Sequence, residues 1–267
     1  MSNIIDLITE YQQLNLSEII DYDKFNQYAI VHHSSTIEGS TLSEVETQLL
    51  LDEQVTPKGK PLEHSLMVKD HYAALQFILH ESKNKKPVSV DLITQANAAV
   101  MKSTGKVYHT VLGDIDSSKG EFRKGNVSAG GSYFVSYDKV ISYTKDLVQA
   151  INEKISGSND LADQLNISFD AHFDLVTIHP FYDGNGRTSR LLMNYIQCLF
   201  DLPLAIVYKE DKAYYYEALI ETRKNEDLSI FRTFMTQQYS KFLSEEIAKH
   251  QDLTKRNKKG RGYSFIF

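Results

Sequence analysis

His179-Pro180-Phe181-Tyr182-Asp183-Gly184-Asn185-Gly186-Arg187-Thr188-Ser189-Arg190 is the stretch around which the chain organises itself. A helical pattern ends near Ile178, and Pro180 prevents it from continuing. Gly184 and Gly186 allow backbone torsions closed to other residues. A second helical pattern then runs through Phe200. Gly-Asn-Gly therefore falls at a helix N-terminus, where free N–H groups and the positive end of the helix dipole favour an anion. Arg187 and Arg190, one turn apart, can face the same way, and two guanidinium groups beside an N–H nest suit a polyphosphate. Asp183 is the acid of this cluster, and a carboxylate beside a phosphate site commonly anchors Mg²⁺. His179 is the group here able to exchange a proton near pH 7. Together they point to phosphoryl-type transfer onto a hydroxyl, in which positioning and charge neutralisation do most of the work. Each residue alone has a bland reading: a cap, a turn, a solvated face. Their joint spacing does not.

Outward from this stretch, helical periodicity dominates. Phe169, Phe173, Leu175 and Val176 lead in, and Leu191, Leu192, Tyr195, Ile196 and Leu199 lead out. Leu62, Leu66, Leu75 and Ile78/Leu79 mark a long helix running to about Ser82. Leu92, Ile93, Ala96 and Val100 mark another, with Ser89 as N-cap. Val140, Tyr143, Leu147 and Ile151 follow, then Tyr215, Leu219 and Ile220, then Leu228, Phe231, Phe234, Met235, Tyr239, Phe242 and Ile247. The segment Gly113–Asp138 breaks the period. It is rich in Gly and Ser, and Phe122 and Tyr133–Phe134–Val135 read as short strands around a Gly130–Gly131 turn, although a surface loop would fit the same composition. The fold class is mainly α: a helical bundle with an inserted β-hairpin.

Composition narrows the function classes. With 267 residues, 42% hydrophobic, the chain can bury a real core. A net charge of −6 argues against a general nucleic-acid binder, and the basic Lys255–Arg261 run with the apolar Tyr263–Phe267 end reads as a solvated tail with a docked terminus. The single cysteine, Cys198, excludes a disulfide framework and a thiolate metal cluster, and its apolar surroundings read as packing. No apolar run approaches the roughly 20 residues that span a membrane. Met1–Gln13 lacks a signal pattern, so a cytoplasmic location is expected.

The quoted stretch resembles the signature of the Fic family, His-x-Phe-x-Asp/Glu-Gly-Asn-Gly-Arg-x-x-Arg, and all eight fixed positions match. The resemblance implies a Fic-type bundle with a small hairpin, the flap, and covers about Ala29 to Tyr239. On it the chain divides into an N-terminal helical region with an inhibitory motif (1–90), a catalytic core (91–245) and a tail (246–267). It implies transfer of AMP from ATP to a Ser, Thr or Tyr hydroxyl of a target protein. His179 would be the general base and Asp183 the Mg²⁺ ligand. Gly184, Asn185 and Gly186 would hold the phosphates, Arg187 the β- or γ-phosphate and Arg190 the γ-phosphate. Gly186, where phosphotransferase relatives carry Lys, favours AMP over phosphate. The flap run Ser132, Tyr133, Phe134, Val135 and Ser136 would take a target segment as an added strand. Tyr215, one of three consecutive tyrosines, is the candidate for stacking on adenine, and Arg123 lies beside the flap. Some relatives dimerise, so a homodimer is carried as an open expectation.

A second motif, Ser34-Ser35-Thr36-Ile37-Glu38-Gly39, precedes a capping box from Ser43 to Glu46. Alone, Glu38 is an acid before a helix-ending glycine. In the Fic family Ser/Thr-x-x-x-Glu-Gly/Asn marks autoinhibition, matched here by Ser34, Glu38 and Gly39. The resemblance implies a bidentate pair between Glu38 and Arg190 that denies the guanidinium to the γ-phosphate. In some relatives the same glutamate serves removal of AMP. Two other readings are transfer of a different phosphate-containing group and a nucleotide-responsive regulator with little turnover.

Overall fold

The computed structural model describes residues 2–19, 21–129 and 132–258. The helices are α1 (Ser2–Gln13), α2 (Tyr22–Ile37), α3 (Glu44–Asp52), α4 (Leu62–Lys83), α5 (Val90–Val100), α6 (Val140–Gly157), α7 (Leu161–Ile178), α8 (Asn185–Leu199), α9 (Lys212–Asn225) and α10 (Leu228–Lys258). Between α5 and α6 lie two hairpins, β1 (Val107–Tyr108) with β2 (Ile115–Asp116), and β3 (Ser128–Ala129) with β4 (Ser132–Tyr133). No helix among the described residues is long and apolar enough to cross a membrane.

Helix α8 is the axis of the bundle, with α7, α4, α5 and α2 packed around it. Asn185 and every residue from Arg187 to Gln197 are buried. A helix enclosed on all sides must satisfy its polar side chains internally. Asn194 Nδ2 donates to the Ala205 carbonyl (3.1 Å), and Gln197 Oε1 accepts from Ala205 N (2.8 Å). Ser189 Oγ donates to the Asn185 carbonyl (2.8 Å). These bonds tie α8 to its own first turn and to the chain entering α9, and so hold the helix start in register.

The caps follow the sequence. Ser89 Oγ accepts from Leu92 N (3.0 Å), and Ser43 and Glu46 close a reciprocal capping box at the head of α3. Three expected core positions are instead exposed. Leu62 opens α4 beyond its packed length, Thr144 takes the inward position beside Tyr143, and Ala218, Leu219 and Thr222 form the buried face of α9 that omits Ile220. Cys198 is half-buried against the core.

The Gly- and Ser-rich segment differs more. Phe122 lies outside any strand and its ring packs on Phe181, 5.5 Å between centroids. The flap pairs Ser128 with Tyr133 and Ala129 with Ser132, and the Gly130–Gly131 turn lies outside the described residues. The strand ends at Tyr133, because Phe134 stacks on His179 and the Val135 carbonyl accepts from Arg123. Of the expected tail, residues 246–258 continue α10, and Tyr263–Phe267 lie outside the described residues. Ile4 and Ile8 of α1 join the same core as Leu243 of α10, so the first and last helices share one hydrophobic cluster.

Candidate active site

The site is built where α7 stops and α8 starts. His179 ends α7 in the left-handed region (φ 53°), which a non-glycine residue occupies at a cost. Arg123 holds it there. This buried guanidinium donates to the carbonyls of His179 (Nε, 2.8 Å), Gly125 (Nη1, 2.9 Å), Ile178 (Nη2, 3.5 Å) and Val135, and its backbone N–H donates to the Pro180 carbonyl (3.0 Å). One side chain thereby ties the flap to the loop that starts at His179. The His179 ring is fixed twice: Nδ1 donates to the Val176 carbonyl (3.3 Å), and Phe134 lies flat over it (centroids 3.9 Å apart, 14° between planes). Because a carbonyl can only accept, the proton sits on Nδ1 and the Nε2 lone pair is free. Burial, the largest influence, lowers the His179 pKa to about 4, so the imidazole is neutral near pH 7.

Gly184, at φ 79°, begins α8, and its N–H donates to Asp183 Oδ1 (2.5 Å). A side chain there would collide with Asn97 and Met101. Asn97, on α5, donates to the Asp183 carbonyl and to Thr188 Oγ1 (both 3.1 Å), pinning the loop from behind. The Asn185 side chain faces away from the cleft: Oδ1 accepts from Phe181 N (2.9 Å) and Nδ2 donates to the Phe181 carbonyl (2.8 Å). Its expected phosphate role therefore falls to its backbone N–H alone. Phe181 is buried, as its lack of polar chemistry suggested.

Both arginines are buried. Arg187 reaches the Val100 carbonyl (Nη1, 3.4 Å), Met101 Sδ (Nη2, 3.2 Å) and Asp183 Oδ1 (Nη2, 3.7 Å), while its buried Nε has no hydrogen-bond partner. Arg190 receives the α2 motif. Its Nε donates to Ser34 Oγ (2.8 Å), and its Nη2 donates to the Ser34 carbonyl (3.2 Å) and to Glu38 Oε1 (2.6 Å). The Glu38 contact runs through one oxygen, not the two parallel bonds expected, because Nε is already committed to Ser34. Burial, the largest single influence, pushes the Glu38 carboxyl up, but the charge and hydrogen bond of Arg190 together with the charges of Arg187 and Lys212 outweigh it, and the net shift is downward. Gly39, at φ 104°, turns the chain away immediately after Glu38. The same carboxylate presses on Gly186, where an added methyl group would collide with Oε1.

Tyr215 cannot stack on a base. It is 1% exposed, its hydroxyl meets His172 Nε2 (2.9 Å) and Arg190 Nη1 (3.4 Å), and its ring packs against Phe231 and Phe234. Tyr214 and Tyr216 are 65% and 40% exposed, and of the two it is Tyr216 that lies within the field of Glu38 and Arg190. Sequence reasoning also missed Asn97 and the Tyr108–Tyr182 stack (4.5 Å), which seats the β1–β2 hairpin on the loop between α7 and α8. Asn97 and Tyr108 both lie outside the quoted stretch.

A model of the Fic/DOC family matches residues 87–197. The chain carries a Fic/DOC family domain. It is similar to "Protein adenylyltransferase fic-1" of Caenorhabditis elegans, 31% identical over 223 residues, which cover 82% of this chain and 41% of that protein. The chain thus spans about two fifths of the length of the relatives it matches. Among solved structures, a Fic-1 fragment from Caenorhabditis elegans superposes with a TM-score of 0.74 at 26% identity, covering 92% of this chain and 70% of that one. A Fic domain containing signaling protein from Bacteroides thetaiotaomicron gives 0.79 over 94% of this chain and 97% of its own, at 22% identity, a likeness of fold. The Fic-type helical fold follows from these matches and the architecture above.

Proposed function

We propose that the protein transfers AMP from ATP to a hydroxyl of a target protein, and that Glu38 holds this activity down. The observation that carries the reading is a neutral imidazole with a free Nε2 at the mouth of an anion cradle whose distal arginine is held by a carboxylate of the same chain. The name of the Caenorhabditis elegans relative supports the choice of AMP.

The free N–H groups of the first turn of α8, at Asn185, Gly186 and Arg187, receive the phosphates, and the unpartnered Arg187 Nε fits an additional acceptor. With Glu38 withdrawn, Arg190 takes the terminal phosphate. Nε2 of His179 accepts the proton of the target hydroxyl as its oxygen bonds to the α-phosphorus. The bond from that phosphorus to the bridging oxygen breaks, pyrophosphate leaves, and the target keeps a phosphodiester to AMP.

Mg²⁺ fits the residues present. No group of three or more acidic, His or Cys ligands exists among the described residues, so the ion needs phosphate oxygens besides Asp183, whose side chain is 55% exposed beside Arg187. Bound there, Mg²⁺ would neutralise phosphate charge. The flap edge at Ser132–Tyr133 is the segment offered to a target, with Tyr133 exposed.

The test is transfer of label from α-labelled ATP with Mg²⁺ to lysate proteins or to the chain itself. Label with Glu38→Gly, and none with Glu38→Gly/His179→Ala, is expected. Label from γ-labelled ATP instead would refute AMP transfer.

A further inference from the structure

Three side chains from separate elements form one stack at the site. The Arg223 guanidinium of α9 lies over the Phe134 ring (5.9 Å to the centroid), and Phe134 lies flat on His179 (3.9 Å, 14°). Phe134 was expected to face a target. Instead it is half-buried against the imidazole.

The geometry matters because the nitrogen lone pairs of imidazole lie in the ring plane. A ring stacked on the face leaves Nε2 accessible in-plane and keeps water from that face. The Nδ1 bond to Val176 fixes one direction of the imidazole, but the ring can still pivot about the line of that bond. A second contact on the face is needed to remove that freedom, and Phe134 is the ring that makes it. Phe134 is itself placed from both sides: the neighbouring Val135 carbonyl is bound by Arg123, and Arg223 covers its outer face.

We propose that Phe134 is a positioning residue for His179, a flap side chain that sets the plane of the base and seals its face, with Arg223 as its outer support. The proposal rests on His179 being the base. It makes the flap part of the proton-transfer apparatus as well as an edge for a target.

The charged groups facing His179 are Arg123, before the flap, Glu38, at the end of α2, and Arg223, on α9. Arg123 and Arg223 disfavour the imidazolium and Glu38 favours it, while burial outweighs all three. Removing the Phe134 ring admits water to the imidazole face and therefore raises the His179 titration midpoint from about 4 toward its ordinary 6.5.

The experiment is a histidine NMR titration of the full chain, with His179 assigned as the signal lost in His179→Ala. Phe134→Ala should raise the midpoint by about one pH unit or more and mix the two neutral tautomers, as expected when a buried imidazole is opened to water. Phe134→Tyr, which keeps the ring, should restore both. Arg223→Gln should move the midpoint the same way by less. Phe134→Leu, which keeps apolar bulk without a flat face, should leave the fold intact and still free the tautomer.

In the Glu38→Gly background, Phe134→Ala should lower kcat by about 10- to 100-fold, the cost of a misplaced catalytic group, with the KM for ATP unchanged. It should also shift the acid limb of the pH profile upward. A midpoint and tautomer unmoved in both Phe134→Ala and Phe134→Leu, with His179 still essential, overturns the proposal alone. Label transfer by Glu38→Gly/His179→Ala equal to that of Glu38→Gly overturns the base assignment and the proposal with it.

Discussion

Replacing Glu38 by glycine should both weaken the empty protein and strengthen its hold on ATP. The carboxylate contacts Arg190 at 2.6 Å, with the arginine side chain 4% exposed and the glutamate 27% exposed. Removing one partner of a buried pair costs about 3–5 kcal/mol, because the other charge is left uncompensated. Two features place this case at the low end. Arg190 keeps Ser34 Oγ, the Ser34 carbonyl and the Tyr215 hydroxyl, and Glu38 is partly solvated. A loss of about 3 kcal/mol in a chain of this length lowers Tm by about 6 °C. The same interaction must be given up before a terminal phosphate can reach Arg190. An obstacle of about 3 kcal/mol is about 100-fold in an equilibrium constant, so the variant should bind ATP in the transfer-competent pose about 100-fold better. Thermal melts with and without Mg²⁺–ATP, together with calorimetric titration, read both halves. ATP should raise Tm much further in Glu38→Gly than in the native chain. The burial and charge shifts also fix the pH range. The Glu38 pKa is lowered, so the pair is intact above 4.5 and is lost only as pH falls through its depressed value. The proposed inhibition should therefore be flat between pH 6 and 8. Equal melting temperatures for the two proteins, with equal gains from ATP, would refute the argument that Glu38 and phosphate compete for one guanidinium.

Two more outcomes follow from other contacts. Arg123→Met strips donors from the carbonyls of His179, Gly125, Ile178 and Val135, and should cost about 3 kcal/mol or more in urea denaturation, since buried acceptors are left unpaired; a loss below about 1 kcal/mol would show that the clamp is dispensable. Acid should destabilise the fold early. Burial lowers the pKa of His32, His33 and His179 to about 4 and holds those of His71 and His172 well below the ordinary value, so below 6.5 the unfolded chain binds more protons and stability falls as pH falls. Each such proton contributes a slope of about 1.4 kcal/mol per pH unit, and Asp174, raised to about 6 chiefly by burial, offsets one of them between 6 and 4. Denaturation midpoints constant from pH 7 to 4.5 would contradict this.

The helices at the core were legible because burial imposes a period: Leu191, Leu192, Tyr195 and Ile196 of α8 are all enclosed. The loop between α7 and α8 was legible because Pro180, Gly184 and Gly186 punctuate the chain by local sterics. Contacts between distant segments carried no such mark. Asn97 lies 86 positions before the Asp183 carbonyl it holds, and Arg123 lies 56 before His179. Tyr215 shows the limit in another form. Three consecutive tyrosines look alike in sequence, yet on α9 they point in different directions: Tyr214 is 65% exposed, Tyr216 is 40%, and Tyr215 is in the core. Helical geometry alone says that one of three neighbours is enclosed, and the choice depends on where Arg190 and His172 wait for its hydroxyl.

On the proposed reading, the charge of the cradle explains why a carboxylate rather than an apolar plug would hold the activity down. Arg187 and Arg190 are buried side by side, and burial alone disfavours both charges. Without an anion, two guanidinium groups would share a poorly solvated space at the positive end of α8, an arrangement each of them opposes. Glu38 answers with a negative charge and a hydrogen bond to Arg190, which, with Tyr215 and Tyr216, overcome burial and turn that group's net shift upward, while Arg187 remains shifted down. The empty cradle is therefore stable but incompletely neutralised, and its remaining positive charge still draws a polyphosphate. An apolar plug at the same position would close the site and leave Arg190 unpaired. By this argument Glu38→Leu should destabilise the empty protein at least as much as Glu38→Gly while recovering less ATP affinity. The difference between the two variants measures how much of the inhibition is steric and how much is electrostatic.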